Sequence, residues 1–181
     1  MASPSRRNRV LPCLVLAAAF ALSGCASDTP FDNLKGAQPS GSPFARALFT
    51  DYAYLARSFG LQNAPSGTAF DAAGSLSLAA VDSETATVAN TYASKALTAS
   101  KGEEPLPEGA PPDDQVAENL RLRLLRALNH GRAKAPVLAA QTQVEFDCWI
   151  LNGTVDELAA ASAQCRSGFM ASLSRLESAA Q

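Results

Sequence analysis

Apolar side chains recur along this sequence at intervals of three and four residues, and that period confines most of it to helices. Phe44, Leu48, Tyr52, Leu55 and Phe59 follow one another at four, four, three and four, which places them on one face of an α-helix, with Gly60 as the expected stop. Val81, Thr85, Val88, Tyr92, Ala96 and Ala99 trace a second helix, opened by Asp82 or Ser83 with Glu84 in its first turn and closed near Gly102. Residues 101–112 are broken by prolines and glycines that no helix can cross. Asp113 and Asp114 then lead Val116, Leu120, Leu124, Ala127 and Leu128, a third helix whose expected end is Asn129-His130-Gly131. Pro136 suits the first turn of a fourth, 136 to about 151, with Val137, Gln141, Val144, Cys148 and Leu151 on one face. A fifth is expected over about 156–178, with Leu158, Ala161, Cys165, Phe169, Leu173 and Leu176. No segment alternates with β-branched enrichment, so the fold class read from the sequence is all-α, a small bundle of about five helices. Residues 61–81, rich in Ala, Gly and Ser with scattered Leu and Phe, are long for a plain loop, which leaves room for a short helix that no period places.

The N-terminus obeys a different logic. Arg6, Arg7 and Arg9 precede an apolar run from Val10 to Leu22, and Leu22-Ser23-Gly24-Cys25 follows. A basic zone ahead of a run of about 13 apolar residues reads as a secretory signal, and the run falls short of the roughly 20 that a spanning helix needs. Leu22, Ser23, Gly24 and Cys25 resemble the lipobox of bacterial lipoproteins. That resemblance implies cleavage before Cys25, diacylglycerol on its sulfur, and Cys13 discarded with the signal. Small residues at 23 and 24 let the backbone enter a narrow peptidase site, and Leu22 fills the pocket beside it. Ser5-Arg6-Arg7 hints at twin-arginine export, but Arg9 stands where that motif wants an apolar residue, which favours general secretion. Ala26 and Ser27 lack the aspartate that retains such proteins in the inner membrane, so the resemblance implies the outer membrane, with the domain facing the periplasm. The expected organisation is therefore a lipoprotein signal peptide over 1–24, a lipidated flexible tether over 25–43 and a helical periplasmic domain over 44–181. Pro30, Pro39, Gly41 and Pro43 give the tether its spacer-like composition, with a reach of up to roughly 60 Å if fully extended.

Charge and residue counts exclude several functions. The chain has 15 Lys and Arg against 17 Asp and Glu, and cleavage would remove three of the arginines. An acidic domain of this kind lacks the concentrated basic surface that phosphate backbones require, so no nucleic-acid partner is expected. One histidine excludes every multi-histidine metal site. Glu103, Glu104, Glu108, Asp113 and Asp114 precede Arg121, Arg123, Arg126, Arg132 and Lys134, an order that complements a helix dipole and reads as helix electrostatics rather than as a binding patch. Glu145 and Asp147 fall on different helix faces, and His130 has no evident acid or serine beside it, so no catalytic residue, metal or cofactor is expected.

With Cys13 removed and Cys25 acylated, Cys148 and Cys165 remain as an even pair in an oxidising compartment, which makes a disulfide the default. No CxxC motif suggests a redox role. Geometry raises one objection. Asn152-Gly153 and the capping-box sequence Thr154-Val155-Asp156-Glu157 put the turn near 153, which leaves Cys165 about seven residues, roughly 10 Å, too far along its helix. A disulfide needs Cα atoms within about 7 Å, so either the turn is centred near 156 or the helices cross steeply.

Two family resemblances follow from these motifs. Tyr52-x-x-Leu55-Ala56-x-x-Phe59 and Ala89-x-x-Tyr92-Ala93-x-Lys95-Ala96-Leu97 resemble the two helices of a tetratricopeptide repeat, with an overlong gap and no closing proline. The larger set is Leu55-Ala56, Tyr92-Ala93-x-Lys95-Ala96, Pro136 to Gln141, Phe146-Asp147-Cys148-Trp149 and Cys165-Arg166-x-x-Phe169. Behind a lipobox, it looks like the N-terminal region of certain OmpA-family outer-membrane lipoproteins. Those proteins continue into a peptidoglycan-gripping domain for which this sequence has no counterpart, so peptidoglycan binding is not carried over. The implied role is a non-catalytic envelope structural or accessory protein. A tetratricopeptide-like adaptor recruiting a periplasmic protein partner is the alternative, and buried aromatics would favour the first, exposed ones the second.

Overall fold

Prolines open three of the helices, and a carboxylate, Asp114, caps a fourth. The computed structural model describes residues 29–62 and 83–181, and these contain six α-helices and no strand. They are α1 (Pro30–Asn33), α2 (Pro43–Gln62), α3 (Ser83–Ser100), α4 (Gln115–Lys134), α5 (Pro136–Asn152) and α6 (Ala159–Ala179), with a 3-10 turn over Asp156–Leu158 ahead of α6. Among the described residues no helix is long and apolar enough to cross a membrane. Asp114 caps α4 as the carboxylates at 113 and 114 suggested, accepting the Ala117 N–H at 2.8 Å. α3 ends at Ser100, and Gly102, at φ +85°, makes the exit expected of it.

α2 lays Phe44, Leu48, Tyr52 and Phe59 against Val88, Tyr92, Ala96 and Ala99 of α3, and all eight are buried. α5 is the central helix, packed on α2, α4 and α6. The face expected of α5 is corrected by this position. Val137 is 67% exposed and Gln141 is exposed, whereas Gln143, Phe146, Asp147 and Ile150 are buried. A central helix is covered on several sides, and an apolar period does not register polar residues that find partners inside. Val116, expected in the core, is also exposed.

Two expected helix stops are corrected as well. Gly60 lies inside α2 and Gly131 inside α4. A Cβ on Gly60 would come within 2.6 Å of the Phe31 ring, and one on Gly131 within 2.6 Å of Leu176 Cδ1. These glycines let a neighbour press against the helix; they do not end it. α4 stops at Lys134 because Pro136 bars the helical conformation at Ala135, whose φ and ψ are −141° and 61°.

The flexible-tether reading of 25–43 is corrected from Thr29 onward. Thr29 and Asp32 form a reciprocal capping box around α1, and the Phe31 N–H donates to Asn90 Oδ1 of α3 at 3.2 Å. Phe31 and Leu34 are buried against the core, each contributing about 1.5–3 kcal/mol that a free spacer would forgo. Further on, Ser40 Oγ donates to Ser100 O and Ser42 Oγ to Glu104 Oε1. Gly41, at φ +79°, crosses Gly102 so closely that a Cβ on it would sit 2.4 Å from the Gly102 Cα. The spacer-like composition here serves a backbone crossing.

Cys148 and Cys165 join α5 to α6 at disulfide distance, with Cα atoms 5.7 Å apart. The first of the two alternatives holds: the 3-10 turn and the late start of α6 put the centre of the connection near 156. Thr154 does not open the next helix; its hydroxyl donates back to Leu151 O at the end of α5. Residues 63–82, which include most of the unassigned 61–81 stretch, lie outside the described residues.

Candidate functional site

The densest chemistry in the described structure is a buried polar cluster between α2, α3, α5 and the proline-rich segment 101–114, called the strap below. Asp147 of α5 has no solvent exposure. Its Oδ2 accepts the Tyr52 hydroxyl of α2 and the Lys95 ammonium of α3, the latter at 2.7 Å, and its Oδ1 accepts the Glu108 N–H at 2.7 Å. Lys95 Nζ donates also to Leu106 O at 2.7 Å and lies 2.8 Å from Glu108 Oε1, so its donors are fully engaged. Gln143, one helical turn before Asp147, donates through Nε2 to Tyr52 Oη at 3.1 Å and to Pro105 O at 2.7 Å. Its Oε1 is buried without a hydrogen-bond partner.

Burial pushes the Asp147 carboxyl up, and the Lys95 charge with the hydrogen bonds from Lys95, Tyr52 and the Glu108 N–H pulls against it. Burial, then the Asp147 charge, drives the Tyr52 phenol well above its ordinary range, which keeps it a donor. Tyr92 is likewise raised by burial; it donates to Asn152 Oδ1 at 2.8 Å, and Asn152 Nδ2 reaches Cys148 Sγ at 3.3 Å. The oxygens of Asp147 are thus occupied by three donors, one from the strap. The arrangement clamps a loop to a helical core and leaves this carboxylate no face for a substrate.

The charges read as helix electrostatics have a more specific use. Glu104 pairs with Arg132 at 3.4 Å, Glu108 with Lys95, and Arg121 Nε donates to Glu108 O at 2.6 Å. Arg123 holds Glu177 of α6 through two hydrogen bonds, and Lys134 donates to Ala180 O. These are tertiary ties among the strap, α3, α4 and the end of α6, and only Asp114 acts as the cap foreseen. Glu145 and Asp147 do diverge: Glu145 turns to α6, accepting the Ser172 hydroxyl and the Gln141 amide. His130 is exposed on α4. No group of three or more His, Cys, Asp or Glu poised for a metal occurs among the described residues.

Of the expected site residues, Leu22, Ser23, Gly24 and Cys25 lie outside the described residues. Tyr52, Lys95 and Asp147 stood in the quoted motifs with no role attached, and the structure brings all three together; Gln143 stood in none. The signal for Asp147 was its place between Phe146 and Cys148 in an apolar stretch, where a charge needs a partner. Beyond the disulfide, a shallow groove along α5 and α6 contains Trp149, whose ring is covered by the Arg166 guanidinium at 4.9 Å and by Phe169 at 6.1 Å. No protein-family model, no curated protein and no solved structure matches this chain.

Proposed function

We propose that this chain is a bacterial outer-membrane lipoprotein, anchored through acylated Cys25, whose helical domain faces the periplasm in a non-catalytic structural or accessory role in the envelope. The observation that carries the reading is the order of basic zone, apolar zone and Leu22-Ser23-Gly24-Cys25 at the N-terminus. Stable attachment needs two or three acyl chains, because one anchors only reversibly. Two structural features support the rest. Tyr52, Phe59 and Tyr92, which an adaptor would need at a groove, are buried in the core. Cys148 and Cys165 lie at bonding distance, as suits an oxidising compartment. Metabolic labelling with palmitate should mark the wild-type chain and place it in the outer-membrane fraction, and Cys25→Ala should abolish both. Undiminished label on that variant would overturn the anchor.

A second reading, an adaptor for a periplasmic protein, is favoured by different side chains. Tyr54 and Leu106 are 69% and 63% exposed.

A further inference from the structure

A lone exposed leucine is ordinary on a protein surface, but Leu106 differs from the other exposed apolar residues in what lies beneath it. Tyr54 and Val137 project from helices. Leu106 projects from a strap whose main chain is held from below at successive points: Pro105 O by Gln143, Leu106 O by Lys95, Glu108 N–H by Asp147 and Glu108 O by Arg121. Three different helices supply those side chains. Pro107 is buried as a keel, prolines on either side fix φ at 105 and 107, and the Gly41–Gly102 crossing with the Ser42–Glu104 bond fixes the strap's first end. A plain connection from α3 to α4 needs none of this. Desolvating Asp147 with most of Lys95, and leaving Gln143 Oε1 unpartnered, costs stability that a plain connection would not incur.

We propose that the strap is a preformed docking element, in which Leu106 is the anchor that enters an apolar pocket on a partner protein whose rim is basic. The anchor is preordered, so association forfeits little backbone freedom, which is the condition under which a short contact binds. The basic rim follows from charge: exposed Glu103 and Asp113 stand on either side of the anchor in sequence, and the strap's acids outnumber Lys101, its single base. Glu104 and Glu108 are already spent on Arg132 and Lys95, which leaves Glu103 and Asp113 to face outward. The inference rests on the adaptor reading and names its surface.

The experiment places a photo-activated benzoylphenylalanine at 106, and separately at 54 and 137, in the full chain in intact cells. Position 106 should yield one discrete heterologous adduct that 54 and 137 do not. The captured protein, purified, should bind the wild-type chain with an affinity that falls as salt rises. It should bind Leu106→Asp at least tenfold more weakly, and Glu103→Lys with a slower on-rate. Since the Leu106 side chain is 63% exposed and only its main chain is held by Lys95, unchanged melting of Leu106→Asp certifies the fold. An adduct at 54 alone would overturn the strap while leaving an adaptor standing; no adduct at any position would overturn both. A crosslink between two copies of this chain, or equal binding by Leu106→Asp, would also sink the proposal.

Discussion

Lys95 is 12% exposed and sits between two carboxylates, and its removal is the sharpest test of how the strap is held. Lys95→Met leaves Asp147 buried without its countercharge, and breaking a buried pair in this way costs about 3–5 kcal/mol. Urea unfolding should show that loss as a lower midpoint, and pairing the change with Asp147→Leu should recover part of it. A single-variant loss under about 1 kcal/mol would mean the ion pair contributes little to the fold. The lysine and the aspartate lie far apart in sequence, and hydrophobic patterning records only which residues avoid water. A charge satisfied from three separate elements leaves almost no local trace. Glycine poses the same difficulty in another form. Gly102 ends a helix as expected, whereas Gly60 and Gly131 admit Phe31 and Leu176 against one, and nothing adjacent in sequence separates the two uses.

Helices were the legible level. The faces of α2 and α3 and the proline start of α5 follow from spacing and from φ-restricted residues, while α5's own burial does not, because a central helix has no single apolar stripe. The α5–α6 hairpin gives a prediction at this scale. Closing a loop across 17 residues should contribute about 3 kcal/mol in the chain-entropy account. For a domain of this size that is a fall in Tm of very roughly 6–12 °C in Cys165→Ser, read by calorimetry without reductant. The packing of α2 on α5 holds a pH response. Burial, and then the Glu145 charge, push Asp51 of α2 up from 3.8 to about 6. The native state therefore binds more protons than the unfolded chain between those values, so this group destabilises the fold above pH 6 and the penalty lifts as pH falls towards 4. Asp51→Asn should exceed the wild type in urea midpoint at pH 7.5 and match it by pH 4; its partial exposure keeps the gain modest. An equal difference at both pH values would remove Asp51 as its source.

At the scale of the whole molecule, the N-terminal boundary matters most for any membrane-anchored reading. If the folded body began at residue 44, a lipid on Cys25 would hold it on a long leash; with docking from Thr29, only three residues separate Cys25 from the body, a span of at most roughly 14 Å. A body held that close presents a restricted set of surfaces to whatever lies above the bilayer. Composition alone gave no warning, since Pro, Gly, Ser and Asp fill spacers and capped turns alike; the distinguishing residues are Phe31 and Leu34, three apart and both buried. Trypsin separates the alternatives. Lys35 is exposed, and in a spacer its peptide bond would be among the first cut. Docked beside α1, with the Lys35 and Ala37 N–H groups donating to Asp32 O and Leu34 O, that bond should survive until the domain opens. Phe31→Asp should release the segment and speed cleavage after Lys35 many-fold, while far-ultraviolet circular dichroism still reports the α2–α6 body as helical. Rapid cleavage at Lys35 in the wild type, with the remainder intact, would return the segment to a tether and move the boundary back to residue 44.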